Sequence, residues 1–140
     1  MRYDVLIIGA GAAGFACALT LGSANDKFDW AKDKKYLILD DNKSDLNVGK
    51  YFNVAGVDSG INGVDLLLKM KKQLEIYKDV ELKDEKATKI ENLGEYFKIT
   101  TENSTFEASI IVLATGLHKF DIECEGVNVK DNIFVPKPNN

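Results

Sequence analysis

Cysteine, histidine and proline are scarce in this sequence of 140 residues, which contains two cysteines, two prolines and one histidine. The cysteines, Cys17 and Cys124, lie far apart and form neither a CxxC pair nor the spacing of a metal-binding motif. With His118 as the single histidine, the chain also lacks the set of ligands that protein-bound zinc requires. We therefore predict no metal site and no dithiol redox motif.

Long hydrophobic runs and an excess of positive charge are missing as well. The apolar stretch at residues 5–21 is broken by glycines and is too short for a membrane span. Residues 10–18 have the composition of a signal-peptide core, but a strand followed by a glycine loop explains more of the segment. The net charge of −4 gives no electrostatic reason to bind nucleic acid. We expect a soluble, cytoplasmic protein that binds neither membranes nor nucleic acid.

The composition that remains is that of a folded domain, with 45% hydrophobic and 29% charged residues. A length of 140 residues fits one domain, and no linker or low-complexity segment divides the chain. We therefore predict a single dinucleotide-binding domain that spans residues 1–140.

Short apolar runs predict strands that are buried on both faces, as in the middle of a parallel sheet, at residues 3–8, 35–40 and 109–114. An alanine-rich helix is predicted at residues 12–21, with Gly22 as its end. An amphipathic helix is predicted at residues 64–77, where apolar residues recur with helical spacing at Val64, Leu67, Leu68, Leu74 and Tyr77. Strands that alternate with helices predict an α/β fold, Rossmann-like, with a central parallel sheet.

The second half of the chain carries a different, two-residue alternation. It predicts an antiparallel β-hairpin of residues 87–91 and 96–101, to which residues 105–107 add a third strand of a small meander. Residues 132–135 are predicted as a further short strand before a Pro-Lys-Pro tail. Surface loops are predicted at residues 44–63 and in the polar stretch 23–34, where Phe28 and Trp30 are expected to anchor the loop to the domain.

The most informative motif is the loop Gly9-Ala10-Gly11-Ala12-Ala13-Gly14, which follows a predicted strand and opens a predicted helix. Gly9 permits the sharp turn, Gly11 lets a pyrophosphate approach the backbone, and Gly14 lets the helix pack close to the sheet. The helix N-terminus then favours the negative charge of the diphosphate. The alternative is a tight turn without a ligand, which we favour less because three glycines cost chain entropy.

An acidic residue at the end of the second strand is the next feature of a dinucleotide site, because it accepts hydrogen bonds from a ribose. Asp40, or its neighbour Asp41, occupies this position. Asp40 follows Gly14 by 26 residues, whereas about 20 is typical, and the additional length falls in residues 23–34. An acid here disfavours a 2′-phosphate and therefore NADP. The alternative is that Asp40 simply ends the strand.

The chain contains two motifs in this order: VLIIGAGAAG at residues 5–14 and IIVLATG at residues 110–116. Together they resemble the FAD domain of thioredoxin reductase-like flavoproteins. These proteins belong to the FAD-dependent pyridine nucleotide-disulfide oxidoreductases. Residues 51–56 resemble an aromatic, glycine-containing loop of that family, and residues 63–73 resemble the helix that follows it. The resemblance implies FAD as the cofactor, a place near it for Ala114, Thr115 and Gly116, and an adenine beside the backbone of residues 86–91, at Ala87.

The resemblance also has two departures. Complete reductases insert an NADPH-binding domain after the ATG motif, whereas here a short connection at residues 117–131 leads to a segment similar to the returning strand. In addition, that segment leads into residues 136–140 rather than into the Gly-Asp pair and helix that support the flavin. We expect a stand-alone FAD domain that is not a complete thioredoxin reductase, and in which a homodimer or a separate redox partner covers the flavin. The alternatives are that the chain binds FAD weakly or binds a smaller nucleotide.

Several other residues invite a functional interpretation that we do not favour. His118 follows the ATG turn but is interpreted as an exposed loop residue, and Cys17 as a buried core thiol. Cys124 is flanked by acids that would raise its pKa and reduce its nucleophilicity. Tyr51 and Phe52 are better candidates for covering a ring, although core packing is the favoured interpretation. We assign no catalytic residue.

Two hypotheses about function follow. The first is an FAD-binding oxidoreductase or electron-transfer module that acts with a partner, in which the cofactor carries the chemistry. The second is a non-catalytic nucleotide-binding or interaction subunit that has lost the flavin chemistry. Fold alone does not decide between them.

Overall fold

The computed structural model describes residues 1–116 and 123–125. In these residues the chain forms two α-helices, α1 (Ala12–Asn25) and α2 (Gly63–Leu74). Its strands are β1 (Arg2–Ile8), β2 (Tyr36–Asp40), β3 (Lys50–Tyr51), β4 (Ile61–Asn62), β5 (Val80–Asp84), β6 (Ala87–Asn92), β7 (Phe97–Thr101), β8 (Thr105–Leu113) and β9 (Glu123–Glu125). Two short 3-10 helices lie at Asp29–Ala31 and Asp45–Val48. The predicted strand at residues 132–135 and the connection at residues 117–131, apart from β9, fall outside the described residues.

Seven strands form one sheet in the order β5-β2-β1-β8-β7-β6-β9. The first four are parallel to one another, and β6 and β7 form the predicted antiparallel hairpin. The remaining two strands, β3 and β4, form a separate antiparallel pair. The predicted α/β class with a Rossmann-like parallel sheet is therefore confirmed.

One long strand, β8, joins the two halves of this sheet. Its first residues pair antiparallel with β7, and its later residues pair in parallel with β1. The sequence predicted two strands here, at residues 105–107 and 109–114, and this division was wrong. A single strand can pair in both ways because its neighbours lie along opposite edges, with β7 beside residues 105–108 and β1 beside residues 107–113.

Three layers follow from the alternation of side chains along β1 and β2. On one face of β1 and β2, four apolar side chains pack against Ile90 and Ile99 of the hairpin: Leu6, Ile8, Leu37 and Leu39. On the other face, four side chains pack against Phe15 and Ala18 of α1 and Leu74 of α2: Val5, Ile7, Tyr36 and Ile38. The parallel strands thus lie between the helices and the hairpin, which explains why their sequences are continuously apolar.

Helix α1 does not end at Gly22 as the sequence predicted, but continues to Asn25. Gly22 is buried inside the helix, where a Cβ atom would lie 2.7 Å from Cγ and 2.8 Å from Cβ of Tyr77. It would also lie 3.0 Å from Cγ2 of Val80. Glycine is therefore used here for close packing against the chain that enters β5, not for helix termination.

We expect Gly22→Ala to destabilise the protein by about 1–3 kcal/mol, because the atoms that the new methyl group meets include the rigid base of the Tyr77 side chain. Helix propensity alone would favour alanine by about 1 kcal/mol, so the sign of the change reports the packing. Urea denaturation measures it, with Thr20→Ala at an exposed position of α1 as the control. An equal or greater stability of Gly22→Ala would contradict the close approach.

Helix α2 is shorter than predicted, and its buried face matches the predicted one only in part, since Leu67 and Leu74 pack into the core as predicted. It ends at Leu74 rather than at residue 77, and its buried residues are Gly63, Leu66 and Leu74. Val64 and Leu68, which were assigned to the apolar face, are 48% and 58% exposed. Because the leucines at residues 66–68 are consecutive, the sequence does not show which of them faces the core. The position of the sheet decides it.

Two other features differ from the prediction. Strand β5, which pairs with β2 at the edge of the parallel sheet, was missed because charged residues alternate through it. Phe28 and Trp30 do not anchor their loop: they stack on each other with centroids 5.8 Å apart and remain 52% and 64% exposed. The fully buried Ala31 attaches this segment instead. In the described part of the chain, neither α1 nor α2 has the length and hydropathy of a membrane-spanning helix.

Candidate functional site

The glycine loop lies at the carboxyl end of the parallel strands, between β1 and α1. Ile8, the last residue of β1, is in register with Leu39 of β2 and Leu113 of β8. Just beyond, Gly9 N donates to Leu39 O at 2.8 Å, and Ala114 N donates to Ile8 O at 2.8 Å. The ends of three strands therefore meet at one edge of the sheet, which is where α/β folds bind ligands.

Gly9 and Gly14 are required by close backbone contacts. Gly9 has φ +103°, and a Cβ atom on it would lie 2.3 Å from Ala114 O. A Cβ atom on Gly14 would lie 1.9 Å from Gly9 O. These contacts bring the start of α1, the loop and the Ala114-Thr115-Gly116 turn into one compact unit.

Gly11 has a different environment. It precedes α1 with φ −79°, and a Cβ atom on it would lie 3.5 Å from Ser44 Oγ, at ordinary contact distance. The first helical hydrogen bond is from Phe15 N to Gly11 O at 3.0 Å, so the N–H groups of Ala12, Ala13 and Gly14 have no acceptor within the helix. Gly11, the N-cap residue, has no side chain that could cap this end.

Gly11 and the N-terminus of α1 form a cradle that fits a diphosphate. The absent Cβ of Gly11 leaves a space at the N-terminus of a helix of 14 residues, and N–H groups and the helix dipole are available to an anion there. The fit holds for the pyrophosphate of FAD, which is the cofactor that the sequence predicts, and equally for that of other dinucleotides.

The structure separates the roles of Asp40 and Asp41. The carboxylate of Asp40 accepts a hydrogen bond from Ala10 N at 2.8 Å and another from Asn42 N at 3.1 Å, which ties the end of β2 to the glycine loop. An ionised carboxylate has about four acceptor positions, so two bonds leave capacity for ribose hydroxyls. Asp41 is exposed and accepts from Lys43 N at 3.1 Å. Asp40 is thus the acid that contacts the loop.

The other predicted residues lie around the same edge. Ala114 and Thr115 are half-buried beside Gly9, and Gly116 is exposed with φ +76°. Ala87, at the start of β6, is 4% exposed, and its side chain packs in the core between the sheet and the hairpin. The place of its backbone beside an adenine, which the resemblance implies, stays a prediction.

Sequence reasoning missed Ser44, which the structure brings against Gly11, and Asp45, which it brings near Gly116 of the ATG turn. Besides the contact of Ser44 with Gly11, a Cβ atom on Gly116 would lie 3.8 Å from Asp45 Oδ2. Both residues belong to a segment that the sequence suggested was merely a surface loop. The available signal was the Ser-Asp pair itself, which is typical of a helix start; Ser44 does cap the 3-10 helix Asp45–Val48.

No reactive group accompanies this site in the described residues. Cys17 is partly buried against the core beneath α1, and burial raises the pKa of its thiol, so it is a poor nucleophile. Within residues 1–116 and 123–125, no group of three potential ligands is arranged to hold a metal ion. His118 and the side chain of Cys124 lie outside the described residues. Among the described residues, this edge of the sheet offers backbone N–H donors and the Asp40 carboxylate, which are groups that suit a nucleotide.

Comparison with known proteins agrees with this geometry. A thioredoxin reductase of Treponema pallidum is 31% identical over 114 residues, which is 81% of this chain and 35% of that protein. The solved thioredoxin reductase of Streptococcus pyogenes is 32% identical, with a TM-score of 0.66 over 80% of this chain and 34% of its own. A ferredoxin-flavin thioredoxin reductase of Clostridium acetobutylicum is 28% identical, with a TM-score of 0.62 over 81% and 37%.

The chain thus spans about a third of the length of these relatives. The family profile of the pyridine nucleotide-disulphide oxidoreductases matches residues 3–137, nearly the whole sequence. The resemblance to thioredoxin reductases seen in the two motifs is therefore confirmed. The chain belongs to the pyridine nucleotide-disulphide oxidoreductase family, with thioredoxin reductases among its relatives.

Proposed function

We propose that this chain binds FAD and serves as the flavin-carrying module of an oxidoreductase related to thioredoxin reductases. The observation that carries the proposal is the open cradle at Gly11, where a helix N-terminus with available N–H groups faces a space that no Cβ fills. Family membership then favours FAD over other dinucleotides. One relative is itself described as a flavin thioredoxin reductase, which supports the same cofactor.

In this proposal each part of the site holds one part of the cofactor. The N–H groups of Ala12, Ala13 and Gly14 bind the pyrophosphate, with Ala10 and Gly11 beside it. Asp40 accepts hydrogen bonds from the adenosine ribose, and the backbone at Ala87 lies along the adenine. Bound FAD supplies transfer of a hydride or of single electrons, and the chain's own residues bind and orient it.

The electron donor and acceptor are part of the proposal too. The proposed partner is a second copy of the chain or a separate redox protein. The ferredoxin in the description of one relative makes a separate redox protein a reasonable class of partner. The single-domain organisation of residues 1–140, the short connection at residues 117–131 and the cytoplasmic location remain predictions.

The test is direct. We expect the purified chain to be yellow, with flavin absorbance near one FAD per chain. Added FAD should raise its thermal stability, by about 2.7 kcal/mol at a hundredfold excess over Kd. ADP and NAD, tested alongside, should stabilise it less. Colourless protein whose melting temperature does not respond to FAD would contradict the proposal. Stabilisation by ADP alone would instead favour the nucleotide-binding subunit without flavin chemistry.

A further inference from the structure

The segment that joins α1 to β2, residues 26–35, presents two exposed aromatic residues, Phe28 and Trp30. Their rings stack with planes 16° apart, so each ring shields one face of the other while more than half of each residue stays exposed. Single exposed apolar residues are ordinary on a protein surface, whereas a contiguous patch is a mark of interaction sites. We call Phe28 and Trp30 the aromatic pair.

Hydrogen bonds fix the backbone that carries the aromatic pair. Phe28 N donates to Ala24 O at 2.9 Å at the end of α1, and Ala31 N donates to Phe28 O at 3.0 Å across the short 3-10 helix. The side chain of Asn25 closes the segment, since its Nδ2 donates to Lys34 O at 2.9 Å. The two rings therefore stand on an ordered backbone, and a partner would not have to order this segment on binding.

Phe28 also contributes the aromatic wall of a cavity of about 420 Å³. Four aspartates and two lysines line the same cavity, which gives it a net charge of −2: Asp26, Asp29, Asp33, Asp79, Lys27 and Lys32. Asp79 is paired with Lys35. Asp26 and Asp29, in contrast, form no ion pair within the described residues. Two carboxylates next to the aromatic pair are therefore available to a cation.

This combination of an aromatic ring and carboxylates selects a cation, and it favours arginine. The face of an aromatic ring attracts a positive charge, and a planar guanidinium can stack on the ring while it donates two hydrogen bonds to a carboxylate. The net charge of −4 on the whole chain adds a longer-range attraction for a basic partner. The same carboxylates repel the phosphates of nucleic acids and of anionic lipid surfaces. The surroundings of the aromatic pair are therefore complementary to a basic protein segment.

We infer that the aromatic pair is a docking surface for an arginine-bearing segment of a basic partner protein. The guanidinium group stacks on the exposed face of a ring, and Asp26 or Asp29 pairs with it. Tryptophan and arginine are among the residues that contribute most to binding energy in protein interfaces. The docking surface does not depend on FAD. It precedes β2, whereas the glycine loop follows β1, and these are opposite ends of parallel strands.

Trp30 is the single tryptophan of the chain and provides a direct signal. A blocked pentapeptide with two arginines, titrated into the full chain, should change the Trp30 fluorescence saturably, with a Kd on the order of 1 mM. The equivalent peptide with two lysines should bind roughly threefold more weakly, because an ammonium group has no planar face to stack. A peptide with two glutamates should give no change. No response to the arginine peptide, or an equal response to the lysine peptide, would overturn the inference.

Phe28→Leu removes the aromatic face and keeps an apolar side chain. We expect it to weaken binding of the arginine peptide roughly two- to fivefold, as the loss of a cation–π contact at an exposed position implies. Phe52→Leu is the matched control, because Phe52 is 71% exposed but lies beside Gly60, which precedes β4. Unchanged binding in Phe28→Leu, or an equal loss in Phe52→Leu, would rule out the aromatic pair as the docking surface.

The contribution of charge is tested with a second matched pair of variants. Asp29→Asn should weaken binding roughly two- to fivefold at low salt, and the loss should shrink as the salt concentration rises. Glu95→Gln removes the same charge from the turn between β6 and β7, which β1 and β8 separate from β2, and should leave binding unchanged. If the two variants lost affinity equally, the effect would come from net charge, and the assignment to this cavity would be wrong.

Sedimentation of the full chain and of Trp30→Ser tests whether a second copy of the chain covers the aromatic pair instead. We expect Trp30→Ser to leave the oligomeric state unchanged, because two cavities of the same charge repel each other. If Trp30→Ser dissociated an oligomer that the unmodified chain forms, the occupant would be a second copy, and the inference of a basic partner would be overturned.

Discussion

Replacing Gly11 by valine is expected to abolish FAD binding while the protein remains folded. The backbone at Gly11, with φ −79° and ψ −166°, is one that valine adopts without strain, and the nearest atom to a new Cβ is Ser44 Oγ at 3.5 Å. The isopropyl group would therefore fit the protein but occupy the space of the pyrophosphate. We expect a loss of at least about a hundredfold in affinity, because the charged hydrogen bonds at the helix start are lost together.

FAD titration followed by flavin fluorescence measures this loss, and urea denaturation without ligand tests the fold. Gly11→Ala serves as the graded control, with intermediate affinity and unchanged folding. The stability of Gly11→Val should stay within about 1 kcal/mol of the unmodified protein, since valine is a poorer residue than glycine before a helix. Undiminished FAD binding by Gly11→Val would mean that the phosphate lies elsewhere.

Gly14→Ala, three residues further on, is expected to have the largest effect on folding. The new Cβ would lie 1.9 Å from Gly9 O, an atom of the backbone that cannot move away unless the loop moves. Overpacking against side chains costs about 1–3 kcal/mol. Here the start of α1 must shift away from the loop, so we expect at least about 3 kcal/mol. That is a large part of the 5–15 kcal/mol that is typical of a whole domain.

Chemical denaturation of the ligand-free protein measures this effect and keeps it separate from cofactor binding. Gly11→Ala is again the control, because the same methyl group is added in the same loop without a clash. A difference of less than about 1 kcal/mol between the two alanine variants would show that Gly9 and Gly14 are not in the close contact described here.

The elements nearest to the cradle follow from the amino-acid sequence. Apolar runs, the glycine spacing and the alanine-rich segment were sufficient to predict β1, the loop, α1 and β2, because these features depend on neighbours in sequence. The acid at the end of β2 was predicted for the same reason. The hairpin of β6 and β7 was equally readable, since a two-residue alternation on either side of a short turn is a local pattern.

The tertiary fold, in contrast, sets which side chains these elements bring together. The sequence placed a helix end at Gly22 because no local pattern shows that Tyr77 packs against it. Likewise, the sequence alone does not show which of the three leucines of α2 faces the core. The largest omission was the contact between Ser44 and the glycine loop. Ser44 follows Gly11 by about thirty residues, and it reaches the loop because β2 lies beside β1. Contacts between distant residues depend on the path of the chain, which a local pattern does not encode.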